Sequence, residues 1–71
     1  MNVLGYAVVV ETLSSRLGGG FVAYAPALTG CIADGESRTV ALLNLEDAIQ
    51  SWVTAARAEG RRVPSPELAE A

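Results

Sequence analysis

Cys31, the carboxylates Glu11, Asp34 and Glu36, the run Gly18, Gly19 and Gly20, and Arg57, Arg61 and Arg62 are the residues whose types could do chemistry. The chain has one Cys, no His, and five basic residues, all of them Arg. A cysteine nucleophile needs a neighbouring base or cation to hold it as thiolate, and the usual base is missing. Ser–His and Cys–His pairs and His-based metal sites are excluded with it. Three glycines in a row could cradle a phosphate, but that loop requires GxxxxGK[ST] opening a helix. Here there is no Lys, and a strand pattern follows, so the glycines read as a hairpin connection. The three arginines lie near the end of a helical pattern with no interleaved aromatics, where cations favour the negative end of the helix dipole. At a net charge of −3 the chain repels phosphate outside that patch. A small nucleic-acid-binding accessory using these arginines is the alternative function, disfavoured for this chain alone.

The elements that would position these residues follow from pattern. Residues 3–11, "VLGYAVVVE", are rich in β-branched residues and read as one strand. Alternation puts Leu4, Tyr6, Val8 and Val10 on one face, and Val3, Gly5, Ala7, Val9 and Glu11 on the other. Both faces are largely apolar, which a sheet with one wet face does not need. The segment "TLSSRLGGG" is a loop, and "FVAYA" a second strand closed by Pro26, which cannot donate to a ladder. "ALTG" turns the chain and "CIAD" makes a short third strand. From Ser37 the period changes. Ala41, Leu42, Leu45, Ala48, Ile49, Trp52, Val53 and Ala56 fall at helical spacing, with Leu43 pointing away from the stripe. Ser37 suits the N-cap, Gly60 the position after the last turn, and Pro64 forbids continuation. The order is β-β-β-α. It describes an α+β fold, a three-stranded antiparallel β-sheet with one α-helix packed on one face, in a single domain at 1–66 with a C-terminal tail at 67–71.

"YAVVVE" at 6–11, "GGGFVAYAPALTGCIADGES" at 18–37, "ALLNLEDAIQSWVTAAR" at 41–57 and "EGRRVPSP" at 59–66 come in an order that resembles the HicB-like antitoxin family. The resemblance covers nearly the whole chain. It implies a partial ribonuclease-H-like fold and a function by protein–protein binding, the neutralising of a HicA-type toxin. Such toxins are small RNA-cleaving proteins of double-stranded-RNA-binding fold. It implies neither an enzyme nor a cofactor. Many members add a C-terminal DNA-binding domain; with the chain stopping at Ala71, a short free-standing member without one is expected. True ribonuclease H uses an acidic cluster with metal, whereas Glu11, Asp34 and Glu36 lack acidic partners at strand centres and read as solvated charges. This sequence also departs from the family pattern. Ala27, Val40, and Arg16 with Leu17 stand where acidic residues are usual, and Thr29 where a second Pro is. The changes at the acidic positions remove negative charge from the surface, and where those charges contact the toxin in relatives, this chain is expected to bind a different partner or mostly itself.

Within this frame Cys31 is a small core thiol beneath the helix, and Pro26 and Gly30 shape the turn before it. Asn44, at mid-helix, is expected to bond a backbone group of the Thr29–Cys31 turn. Trp52 is expected to pack with Ile49 and Ala56. Val22 and Tyr24 alternate with Phe21 and Ala23, and one of the two pairs must face away from the helix. Ala7, Val9, Val22 and Tyr24 are expected to form an apolar partner or oligomer interface. An apolar content of 51% in so short a chain, with no disulfide available, predicts a homodimer or a dimer of dimers. No catalytic, cofactor-binding or metal residue is assigned. "MNVLGYAVVV" has no basic residue before it and meets Glu11 too soon to be a signal peptide or a membrane span. A free Cys without an export signal suits a reducing cytoplasm.

Overall fold

The computed structural model describes residues 1–66, so the tail expected at 67–71 lies outside the described residues. Strands β1 (Asn2–Val3) and β2 (Tyr6–Ala7) pair as a small hairpin. Strands β3 (Val9–Thr12), β4 (Phe21–Tyr24) and β5 (Ile32–Gly35) form an antiparallel sheet in that order, and α1 (Arg38–Ala58) packs across it. This is the α+β architecture that the change of period at Ser37 predicts. A 3-10 turn at Ser15–Leu17 fills the connection between β3 and β4.

The first apolar run is not one strand. Leu4 and Gly5 have φ of 53° and 87°, the left-handed pair of a type I′ turn, and Val3 folds back opposite Tyr6. Leu-Gly lacks the side-chain signal of Asn-Gly, so continuous apolarity masks the turn. A Cβ at position 5 would also lie 2.6 Å from the Pro66 Cβ, which leaves room for glycine alone. Ala7 therefore belongs to the hairpin and not to the sheet. The neighbouring boundaries shift too: β4 ends one residue before Ala25, and Cys31 precedes β5 instead of opening it.

Register divides the sheet into two faces. Val10, Ala23 and Ala33 form one row toward the helix, and Thr12, Phe21 and Gly35 another. Ala23, Ala25, Leu28 and Cys31 from the sheet side meet Ala41, Leu45 and Ile49 of α1 in the core, with Tyr6 and Val8 buried beside them. All eight residues of the predicted helical stripe are buried or half-buried, and Leu43 is exposed. The helix starts where the Ser37 Oγ accepts the Val40 N–H at 3.1 Å. It ends in a Schellman motif. Arg61 N–H donates to the Ala56 carbonyl at 2.8 Å and Gly60 N–H to Arg57 at 3.1 Å. Beyond it the chain returns to the hairpin, where the Tyr6 hydroxyl donates to the Pro64 carbonyl at 2.6 Å.

The two layers approach closely at Gly35. A Cβ there would lie 2.5 Å from the Ala41 nitrogen and 2.8 Å from the Val40 carbonyl carbon, so the first turn of α1 rests on bare backbone. Gly35→Ala is expected to push the helix off the strand at a cost of about 1–3 kcal/mol. At roughly 4–8 °C per kcal/mol for a domain this small, thermal unfolding followed by circular dichroism resolves the loss. An unchanged midpoint would show that the contact is loose.

Candidate functional site

The sheet face turned away from α1 is built by the same alternation that builds the core. Val9, Tyr24 and Ile32 pair across the three strands in one row, and Glu11, Val22 and Asp34 in the next. No element among the described residues covers this face. Val9 is 36% and Ile32 58% exposed, while Val22 and Tyr24 on the central strand are half-buried. Register thus settles which pair faces outward, and brings Val9, Val22 and Tyr24 together without Ala7. Ile32, absent from the sequence-derived set, completes the apolar row. Its signal was available, because inward positions at 31 and 33 require position 32 to point out.

Glu11 and Asp34 are the only charged residues in these rows and stand on either side of Val22. Two strand spacings put them about 10 Å apart, too far to chelate one ion together. No group of three or more His, Cys, Asp or Glu side chains able to hold a metal occurs among the described residues. Glu36 lies off the ladder, exposed, just before the helix.

The sheet edges differ. Leu13 N–H donates to the Gly20 carbonyl at 2.9 Å, and Ala25 N–H to Cys31 at 3.2 Å. By the antiparallel alternation these bonds fix, the backbone groups of Val10 and Thr12 point outward from β3, and those of Ile32 and Asp34 outward from β5. Asn44 Nδ2 donates to the Asp34 carbonyl at 2.8 Å. Its partner is therefore the β5 edge and not the Thr29–Cys31 turn. Trp52 fills that other role, its Nε1–H donating to the Thr29 carbonyl at 2.8 Å. Residue 44 sits two turns earlier on α1, level with the strand rather than the turn.

Trp52 is half-buried at the rim of the core, with Arg61 stacked 5.3 Å from its ring. Arg61 also pairs with Glu59 at 3.0 Å, both side chains more than half exposed, an arrangement of little energetic value. One of the three helix-end arginines is thus turned back onto its own chain. Pro26 and Gly30 are exposed in the turn, which closes as Leu28 N–H donates to Ala25 and Cys31 N–H to Leu28, at 3.0 and 2.9 Å. That turn delivers Cys31 to the core, where burial pushes its thiol above the ordinary value of 9.0.

A short sheet with a helix on one face and an apolar, acid-flanked row on the other defines a small two-layer α+β protein. Three relatives place it. The chain is 32% identical over 67 residues to UPF0150 protein ssr1765 of Synechocystis sp., covering 94% of this chain and 81% of that one. It is 34% identical over 64 residues to UPF0150 protein ssl0259 of the same organism, covering 90% and 84%. A third UPF0150 protein, from Thermoplasma acidophilum, is 29% identical over 52 residues, covering 73% and 75%. The chain belongs to the UPF0150 family. No family model matches it, and no solved structure does. Among the described residues no helix is long and apolar enough to cross a membrane.

The raised thiol has a signed consequence. Where the native state holds its proton more tightly than the unfolded chain, stability falls as pH rises. The Cys31 contribution is complete below the pKa of the unfolded thiol and is lost as pH rises through the higher native one. Cys31→Ala is expected to flatten this alkaline slope in denaturant melts between neutral and alkaline pH. An identical slope in both proteins would mean that the thiol ionises in place.

Proposed function

We propose that this protein is a HicB-like antitoxin or an orphan relative of one, acting in the cytoplasm by binding another protein, a HicA-type RNA-cleaving toxin. One observation carries the reading: the uncovered row of Val9, Tyr24 and Ile32. A chain of 71 residues has little apolar surface to spare, since so small a domain buries only about 60% of its unfolded surface. Leaving such a row bare costs nothing only if something else covers it. The order of sequence pieces from "YAVVVE" to "EGRRVPSP" supports the antitoxin class. A reducing compartment keeps Cys31 free. The test is co-expression with a toxin encoded beside the gene. Wild-type chain should restore growth, and Ile32→Asp, checked for an unchanged melting temperature, should not. Failure of the wild type to rescue defeats the reading.

The free β3 edge gives the same protein a route to self-association. Val10 and Thr12 present unpaired backbone groups there, while Asn44 covers part of the β5 edge. Two copies joined along β3 form one six-stranded sheet by the commonest symmetry, the two-fold. Light scattering at micromolar concentration should report the dimer mass, and a monomer mass overturns this arrangement.

A further inference from the structure

The uncovered face carries a charge pattern as well as an apolar one, and the pattern selects a partner. Val9, Tyr24 and Ile32 form an apolar row, and the adjacent row sets Glu11 and Asp34 on either side of Val22. No basic side chain shares these rows. Arg38, the nearest arginine in sequence to β5, lies over Phe21 at 5.3 Å, and Phe21 belongs to the helix-facing row. Neither carboxylate has an ion-pair partner among the described residues.

A second copy docked face to face would bring four carboxylates and no cation into one interface. Desolvating like charges without partners opposes that arrangement. From this charge complementarity we infer that the face receives a basic amphipathic segment of a different protein. Its apolar side chains cover the row of Val9, Tyr24 and Ile32, and arginine or lysine reaches the carboxylates of Glu11 and Asp34. The inference rests on the reading of this face as a protein-binding surface and adds the chemistry of what it binds. It also separates the two contacts of the molecule. Copies of the chain meet at the β3 edge, and the partner meets the open face, so neither displaces the other.

The test titrates isotope-labelled full-length chain with a short amphipathic Leu/Arg peptide and with its Leu/Glu counterpart, following amide shifts by NMR. The Leu/Arg peptide should shift the signals of the two outward rows and bind more weakly as salt is raised. The double variant Glu11→Gln, Asp34→Asn, with an unchanged melting temperature, should lose about tenfold in affinity, the scale expected of two partly exposed charge contacts. Equal binding of the Leu/Glu peptide overturns the inference, as does an unaffected double variant. Shifts confined to the groove between the N-terminal hairpin and α1, lined by Leu4, Leu42 and Leu43 among others, overturn it as well. So does a face-to-face dimer of wild-type chain, recognised by its dissociation in Ile32→Asp. Neutralisation of a toxin is read separately: its failure removes the antitoxin assignment and leaves peptide binding standing. Full rescue by the double variant removes the charge argument and leaves the antitoxin.

Discussion

The close seating of α1 on the end of β5 is the constraint on which the rest of the structure depends. At Gly35 a single missing Cβ lets the helix backbone rest directly on the strand. From there two polar contacts run down the same side of the helix: Asn44 to the Asp34 carbonyl and Trp52 to the Thr29 carbonyl. Eight residues separate Asn44 from Trp52, a little over two turns, so both side chains project toward the strand and the turn that precedes it. Each such bond contributes on the order of 1 kcal/mol net. Burial of Leu28, Leu45 and Ile49 is worth more, about 1.5–3 kcal/mol apiece. The apolar contacts hold the layers together, the close approach at Gly35 sets where along the strand the helix lies, and the two hydrogen bonds hold it there.

That seating has a cost on the other side. A helix covers one face of a sheet, and the described chain has no second helix to cover the other. Alternation then forces Val9, Tyr24 and Ile32 outward as surely as it forces Ala23 and Ala33 inward. On β4 and β5 the inner row carries Ala23 and Ala33, small enough for the helix to lie close. The outer row, free of that limit, carries larger side chains. Closeness on one face and apolar bulk on the other are two results of one pleat.

The N-terminal hairpin and the residues after the helix form a second, smaller structure. Tyr6 joins the core and spends its hydroxyl on Pro64, while Gly5 takes the contact of Pro66. The Schellman end of α1 aims the chain at that hairpin, and Pro64, six residues past the helix, supplies the carbonyl that holds it. The groove left between the hairpin and α1, lined by Val3, Leu4, Leu42 and Leu43 among others, opens to about 370 Å³. It lies on the helix side, away from the acid-flanked sheet face.

Local signals in the sequence determined the helix, its cap, its stop and its buried stripe, because those depend on spacing within one element. They also placed Pro26 just beyond a strand, though β4 already ends at Tyr24, and showed that no His or Lys is present to support nucleophilic or phosphate chemistry. The tertiary structure decided the rest. The break at Leu4 and Gly5 was hidden, since a type I′ turn made without Asn or Asp leaves the apolar run unbroken. The partner of Asn44 depended on how far the helix slides along the sheet, which is set by the contact at Gly35 and not by any residue near position 44. The composition of the open face waited on register: Ala7 left it when the first strand divided. Local alternation already turned Ile32 outward and set Glu11 on the face of Val9; which residues of the other strands share their rows, Tyr24 beside Ile32 and Asp34 across Val22 from Glu11, is decided by pairing to β4, a relation that no local pattern contains.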